Sequence, residues 1–303
     1  MTAEIAVLVM AYGGPGNLDE VEPYLMDVRG GRPTKPELVE KIRARYARIG
    51  GRSPILDITR AQAAEIGRVL ERGFAVFVGM RHWHPFIQDT VKDIAAAGFQ
   101  RVVGVAMAPH YSNMSVGAYE KKLLQAADGQ LDVTLVRSWW IQPQFLDATA
   151  SRISQALERF PAGAQVDVVF TAHSLPEKIV ASADPYPEEL KASAQAVARR
   201  AGLQQWQLAY QSAGVTPEPW LGPDVEQVMN TLAQAGHRAV LLVPIGFVCD
   251  HVEILYDIDV EYQGVAQRLG VQLERTASLN DDPGLVAAVA EAVRHAATLR
   301  GWL

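Results

Sequence analysis

Eight short β-branched runs recur along this chain, each separated from the next by enough residues for a helix and its turns. Parallel strands need that spacing, because neighbours running the same way cannot be joined by a tight hairpin. The runs fall at 5–11, 74–79, 102–108, 132–136, 166–171, 206–211, 239–244 and 270–273. One intervening helix is well signposted: Thr34 and Glu37 stand at capping-box spacing, Leu38, Ile42 and Tyr46 make an apolar stripe, and Gly50-Gly51 stops it. Similar helices fit 86–97, 144–159, 188–201, 223–235 and 283–299.

Divided four and four, the strands give halves whose first members end alike, Ala-Tyr-Gly-Gly-Pro at 11–15 and Ala-His-Ser-Leu-Pro at 172–176. The third strands also match, each reaching a proline, Pro109 and Pro244. The expected fold is α/β: two similar domains, each a four-stranded parallel sheet flanked by helices, whose strand carboxyl ends meet at a shared cleft. The domains are placed at 1–150 and 151–282, with the helix at 283–303 packing back on the first. Tyr12 and His173 would then face one another. Strand order is not readable from the sequence.

With 303 residues, 49% hydrophobic and 20% charged, the chain can bury one large core or two smaller ones. No apolar run approaches the roughly 18 residues that would span a bilayer, and Met-Thr-Ala-Glu leads into a strand without a basic leader, so no membrane insertion and a cytoplasmic location are expected. The lone Cys249 excludes internal disulfides and a four-thiolate iron–sulfur cluster, and reads as a small core filler. A net charge of −6 argues against nucleic acid as a partner. Residues 29–52 nevertheless concentrate Arg29, Arg32, Lys35, Lys41, Arg43, Arg45, Arg48 and Arg52 against Glu37 and Glu40, a local field that attracts small anions. No phosphate-loop, dinucleotide or nucleophile-elbow motif is present.

Two places carry candidate chemistry. His173 follows a strand and precedes an expected helix start at Ser174, where a helix N-terminus would disfavour imidazolium and leave a nitrogen lone pair for a proton or a metal. Glu253, Asp257 and Glu261 stand at i, i+4 and i+8, a file of carboxylates on one expected helix face. Oxygen ligands in a row suit a hydrated dication in transit, and His with Glu suits Fe(II) held briefly; a solvated acidic stripe is the bland alternative. His82, His84 and His110 occupy loops at strand ends, whereas His237 and His295 read as surface residues. The proline-rich stretch 210–224 reads as an ordered loop in which Trp220 packs a flat apolar ligand or simply anchors the fold.

Together these motifs resemble the ferrochelatases over nearly the whole chain. The resemblance is carried by Leu-Val-Met-Ala-Tyr-Gly-Gly-Pro at 8–15, Arg-Tyr with Gly-Gly-Arg-Ser-Pro at 45–54, Gly-Met-Arg-His-Trp-His-Pro at 79–85 and Ala-Pro-His-Tyr-Ser at 108–112. It continues through Ala-His-Ser-Leu-Pro at 172–176, Pro-Trp-Leu-Gly-Pro at 219–223 and Pro-Ile-Gly-Phe-Val-Cys-Asp-His-Val-Glu at 244–253. It implies two Rossmann-like domains and a distorted porphyrin bound between them. It also implies that His173 and Glu253 are catalytic and bind iron, with Asp257 and Glu261 as further metal residues. By the same resemblance Tyr12, Arg29, Arg45, Tyr46, Ser53 and Tyr119 contact the porphyrin, Tyr12 as in the coproporphyrin type, where it reaches product iron from the opposite face.

The implied reaction is insertion of ferrous iron into coproporphyrin III, giving Fe-coproporphyrin III in haem biosynthesis. Coproporphyrin III and Fe2+ are the partners, iron is substrate rather than resident cofactor, and no iron–sulfur cluster is expected. Compared with larger relatives, no cysteine-bearing extension is present and the segment after Gly16 is acidic, which favours a soluble monomer with transient contacts to neighbouring haem-pathway enzymes. Gly30 stands where a second arginine would follow Arg29, which weakens propionate contacts there. Protoporphyrin IX as substrate, a chelatase loading cobalt or nickel into sirohydrochlorin, and a non-catalytic tetrapyrrole or metal carrier are the alternatives.

Overall fold

The computed structural model of the protein describes residues 4–214 and 216–303. Strands β1 (Ile5–Ala11), β2 (Phe74–Met80), β3 (Arg101–Ala106) and β4 (Asp132–Val136) form one sheet in the order β2-β1-β3-β4. Strands β5 (Asp167–His173), β6 (Gln207–Gln211), β7 (Ala239–Val243) and β8 (Gln272–Arg275) form a second in the order β6-β5-β7-β8. Every pairing is parallel. The two orders are the same permutation, so the winding reverses between β1 and β3 in one sheet and between β5 and β7 in the other. Parallel α/β sheets form their ligand crevices outside the strand carboxyl ends at such reversals.

The helices are α1 (Val21–Val28), α2 (Pro36–Arg48), α3 (Ile55–Leu70), α4 (Ile87–Ala96), α5 (Val116–Ala127) and α6 (Pro143–Leu157) in the first half. They continue as α7 (Lys178–Ala181), α8 (Tyr186–Arg200), α9 (Val225–Gln234), α10 (Val252–Leu255), α11 (Gln263–Leu269) and α12 (Pro283–Leu299). Among the described residues no helix is long and apolar enough to cross a membrane.

Both faces of each sheet are covered, which is why the strands read as continuous apolar runs. In β1, Ile5, Val7 and Val9 face one core while Ala6, Leu8 and Met10 face another against α4 and α5. The first of these cores is shared: it runs from β1 and β3 through α6 and α12, past Trp139 and Phe145, to β5, β7 and α8. Helix α12 packs on α3 and α6 at the centre of this joint core.

Three local expectations are corrected. Helix α2 begins at Pro36 with no side-chain cap, because the proline takes the first helical position, supplying the helical φ, and so leaves Lys35 rather than Thr34 at the cap. No helix starts at Ser174: β5 continues to His173 and α7 begins only at Lys178. Ser174 instead sends its N–H to the Gln211 carbonyl (2.8 Å) and its hydroxyl to the Leu221 carbonyl (2.7 Å). The acidic file is not one α-helix either, since α10 ends at Leu255 and Asp257–Tyr262 forms a π-helical segment, the wider turn that often accompanies functional sites.

Candidate functional site

A cleft enclosing about 1380 Å³ of space, open to solvent, lies where the carboxyl ends of the two sheets meet. Its walls come from both halves, with Tyr12 after β1, Met107 and Ala108 after β3, His173 at the end of β5 and Gly246 after β7. Thus the four segments flanking the two winding reversals all reach the cleft. Tyr46, Ser53 and Tyr119 also line it, as does Trp220, whose loop folds onto the segment after His173. That loop is held by Leu221 N–H to the Leu175 carbonyl (2.8 Å) and Glu177 N–H to the Pro219 carbonyl (2.9 Å).

His173 is oriented by its own neighbour. Its Nδ1 bonds the Ser174 carbonyl, so that nitrogen carries the proton and Nε2 is left toward the Glu253 Oε1 at 3.5 Å. The other carboxylate oxygen of Glu253 stands 3.5 Å from Nε2 of His251, whose Nδ1 donates to the Cys249 carbonyl (2.9 Å). Glu253 therefore sits between two imidazoles. Burial opposes its ionisation, yet His173, His251 and Arg45 together hold its carboxyl below the usual range, while Cys249 and Glu253 outweigh burial and raise His251. Sequence reading passed over His251. The available signal was its spacing: His251 is extended and α10 starts at the next residue, which brings side chains two apart onto one side.

Tyr12 is 39% exposed at the cleft, yet the protein packed around it desolvates the phenol and pushes it up to about 12, against the pull of Arg81, so it is a neutral hydroxyl at physiological pH. The Arg81 guanidinium lies over both the Tyr12 ring (5.7 Å) and the Tyr119 ring (5.4 Å). The His82 ring is 4.6 Å from that of Tyr12 and its Nδ1 is 2.7 Å from Asp27 Oδ2. Arg81 was not singled out as a site residue, although a base directly after a parallel strand is the signal that could have found it. His84 packs instead on Trp83 and Phe86. His110 lines the cleft but is 2% exposed, neither ring nitrogen has a partner, and burial pushes it down to about 3.

The acidic residues border a second cavity, which meets the first at Tyr24, Tyr46, Val252 and Glu253. Asp257 accepts from the Ser212 hydroxyl (2.5 Å), and burial pushes its carboxyl up to about 6. Arg45 lies here rather than in the larger cleft, 3.4 Å from Asp257 and 3.1 Å from Glu261, with its guanidinium 4.9 Å over the Tyr256 ring. From behind, Arg275 pairs with Asp259 (2.7 Å) and reaches Asp250 at 3.4 Å, bracing both ends of the segment that carries His251, Glu253 and Asp257. Arg29 stands apart, exposed at the end of α1 and lining neither cavity. Cys249 fills the core as expected, against Ala11, Ile55 and Met80, and also borders the cleft.

The chemistry of this arrangement follows from the 3.5 Å separation. With Nδ1 committed to the Ser174 carbonyl, Nε2 is the imidazole nitrogen left to share a proton or a metal cation with Oε1. Ligands about 2.1 Å from a first-row dication at a tetrahedral angle stand about 3.4 Å apart. The pair is therefore spaced for a metal, at the wall of the cleft between the two halves.

Residues 4–297 match the family model described as Ferrochelatase. A protein named ferrochelatase from Herpetosiphon aurantiacus is 48% identical, with 94% of this chain and 97% of that protein covered. The Bacillus subtilis protein named coproporphyrin III ferrochelatase is 37% identical, with coverage of 96% and 97%. Among solved structures, SirB from Bacillus subtilis with Fe3+ superimposes with a TM-score of 0.61 over 99% of this chain and 98% of that one; at 13% identity this likeness speaks to the fold alone.

Proposed function

This chain belongs to the ferrochelatase family, whose reaction inserts ferrous iron into a porphyrin, and on that premise we propose that its porphyrin is coproporphyrin III and its product Fe-coproporphyrin III. The observation that carries the reading is the pairing of His173 and Glu253 from one half with Tyr12 from the other around a single cleft that Arg81 lines, with the basic residues of 29–52, none of which lines it, adding only a longer-range positive field. A porphyrin with four propionates gains more from such a field than one with two. Several relatives that bear the coproporphyrin name, at 36–38% identity, support the same reading. Iron is a substrate here, the working form is a cytoplasmic monomer, and no iron–sulfur cluster takes part.

In this mechanism Fe2+ reaches Nε2 of His173 and Glu253 at the cleft wall, and the porphyrin is held over them with its pyrrole nitrogens turned toward the metal. Each iron entering the ring displaces two pyrrole protons. Nε2 of His173 accepts one as the metal leaves it, since Nδ1 is already committed to the Ser174 carbonyl, and the Glu253 carboxylate, released from the metal in the same step, takes the other. Tyr12, neutral and on the other half, offers its oxygen to the product iron.

The test is anaerobic iron insertion followed by absorbance, comparing coproporphyrin III with protoporphyrin IX with and without detergent. Preference for coproporphyrin supports the proposal, and preference for protoporphyrin overturns the substrate. His173→Ala should abolish insertion while porphyrin binding, read by fluorescence quenching, survives; retained turnover would remove His173 from its role.

A further inference from the structure

Arg45 lies on α2 in the first half, yet both of its ionic partners belong to the second, more than two hundred positions away in the chain. Among the described residues it is the only base within ion-pair distance of Asp257 or Glu261. A dication approaching these carboxylates would find one positive charge already between them. The two cations repel each other at that range, so the metal and the guanidinium compete for one place.

The guanidinium lies over the Tyr256 ring and is held by its two terminal nitrogens alone, one on each carboxylate. Its contact with Asp257 is 3.4 Å, beyond the usual length of a charge-assisted hydrogen bond, and its Nε is buried without any partner. One donor of the fork is thus unused. An incoming carboxylate that could engage Nε and one terminal nitrogen together would offer the two parallel bonds that Asp257 and Glu261 do not. Tyr46, the next residue on α2, lines both cavities, so the backbone that carries Arg45 already borders the larger cleft.

We propose that Arg45 is an exchange switch: its guanidinium occupies the Asp257–Glu261 pair while the cleft is empty, and a carboxylate on the tetrapyrrole edge withdraws it, freeing the pair for the metal dication. The proposal rests on the reading that the cleft takes a carboxylated porphyrin. Its consequence is positive coupling between the two substrates: porphyrin loading raises metal affinity, and by linkage metal raises porphyrin affinity by the same factor. The device delays metal entry until the acceptor ring is in place.

The experiment is calorimetric titration of Mn2+ into the wild-type protein, empty or loaded with Fe-coproporphyrin III, whose filled centre cannot take the added metal. A third arm uses the tetramethyl ester of the same iron porphyrin, which has no ionisable edge. The expected result is a Mn2+ affinity raised roughly 5- to 150-fold by the free acid, the usual range for linked sites, and unchanged by the ester. Arg45→Met, empty, should bind Mn2+ as tightly as loaded wild type and show no coupling. Equal Mn2+ affinity in empty and acid-loaded wild type overturns the switch, as does full coupling in Arg45→Met; the ester arm keeps the test decisive if that variant does not fold. Loading with Fe-protoporphyrin IX separates this from the substrate proposal: tighter binding than Fe-coproporphyrin with coupling intact refutes the four-propionate reading and leaves the switch standing.

Discussion

Gly246→Ala is a demanding test of how His173 is placed. Gly246 follows β7 and donates its N–H to the Thr171 carbonyl at 3.2 Å, so the loop lies directly on the end of β5. A Cβ there would sit 2.6 Å from the Ala172 Cβ and 2.9 Å from the Ala172 Cα. Carbon atoms in contact stand about 3.5–4.0 Å apart, so loop and strand must separate by about 1 Å. No flexible side chain can move aside, because the obstacle is the backbone of the residue before His173. Overpacking of this kind costs about 1–3 kcal/mol of stability, and a 1 Å misplacement at a reacting site costs about a hundredfold in rate. Iron insertion under single-turnover conditions, with denaturant unfolding alongside, measures both. Gly50→Ala is the control: its φ is +100° and nothing lies within 4 Å, so it strains the backbone without moving the cleft. If Gly246→Ala inserts iron within about twofold of wild type, the close seam does not set the His173–Glu253 geometry.

Two other outcomes follow from buried groups. His110 is held neutral with its pKa depressed to about 3 from 6.5, so the stability it contributes is complete above pH 6.5 and lost as pH falls toward 3. Between pH 7 and 4 the wild type should lose on the order of 3 kcal/mol more than His110→Phe, and parallel urea midpoints for the two over that range would contradict this. Trp139, fully buried, donates Nε1–H to the Ala106 carbonyl at 3.0 Å. Trp139→Phe leaves that carbonyl without its partner and should cost about 1–3 kcal/mol in chemical denaturation; a neutral result would mean the carbonyl is satisfied some other way.

The strands were legible because both faces of each sheet are buried, which writes β1 and β7 as unbroken apolar runs. Their order was not, since every crossover is long enough to reach either neighbour. His173, Glu253 and Tyr12 could be found because each follows a strand directly or stands in a short motif. Arg45 was assigned to porphyrin, but its observed partners are acids in the other half, a pairing no local pattern encodes. The capping box at Thr34 failed against Pro36, which takes the first helical position and leaves Lys35 rather than Thr34 at the cap. The π-helical segment was hidden because carboxylates four apart look the same in sequence whether the turn is α or π. Arg81 and His251 became candidates only when distant segments met at the cleft, whereas the position of His110 after a strand already made it able to line one.

The joint core through α6 and α12 bears on how substrate comes and goes. Rotating the halves apart would expose Trp139, Phe145 and Val289 to water, at about 1.5–3 kcal/mol for each such side chain. A wide hinge opening is therefore too costly to occur at every turnover. The macrocycle must pass through a rim that yields locally, and the loop bearing Trp220 is a rim segment held to the chain after His173 by hydrogen bonds with Ser174, Leu175 and Glu177. Product escape should accordingly track fluctuations of that loop, and a covalent clamp across α6 and α12 should leave the release rate unchanged.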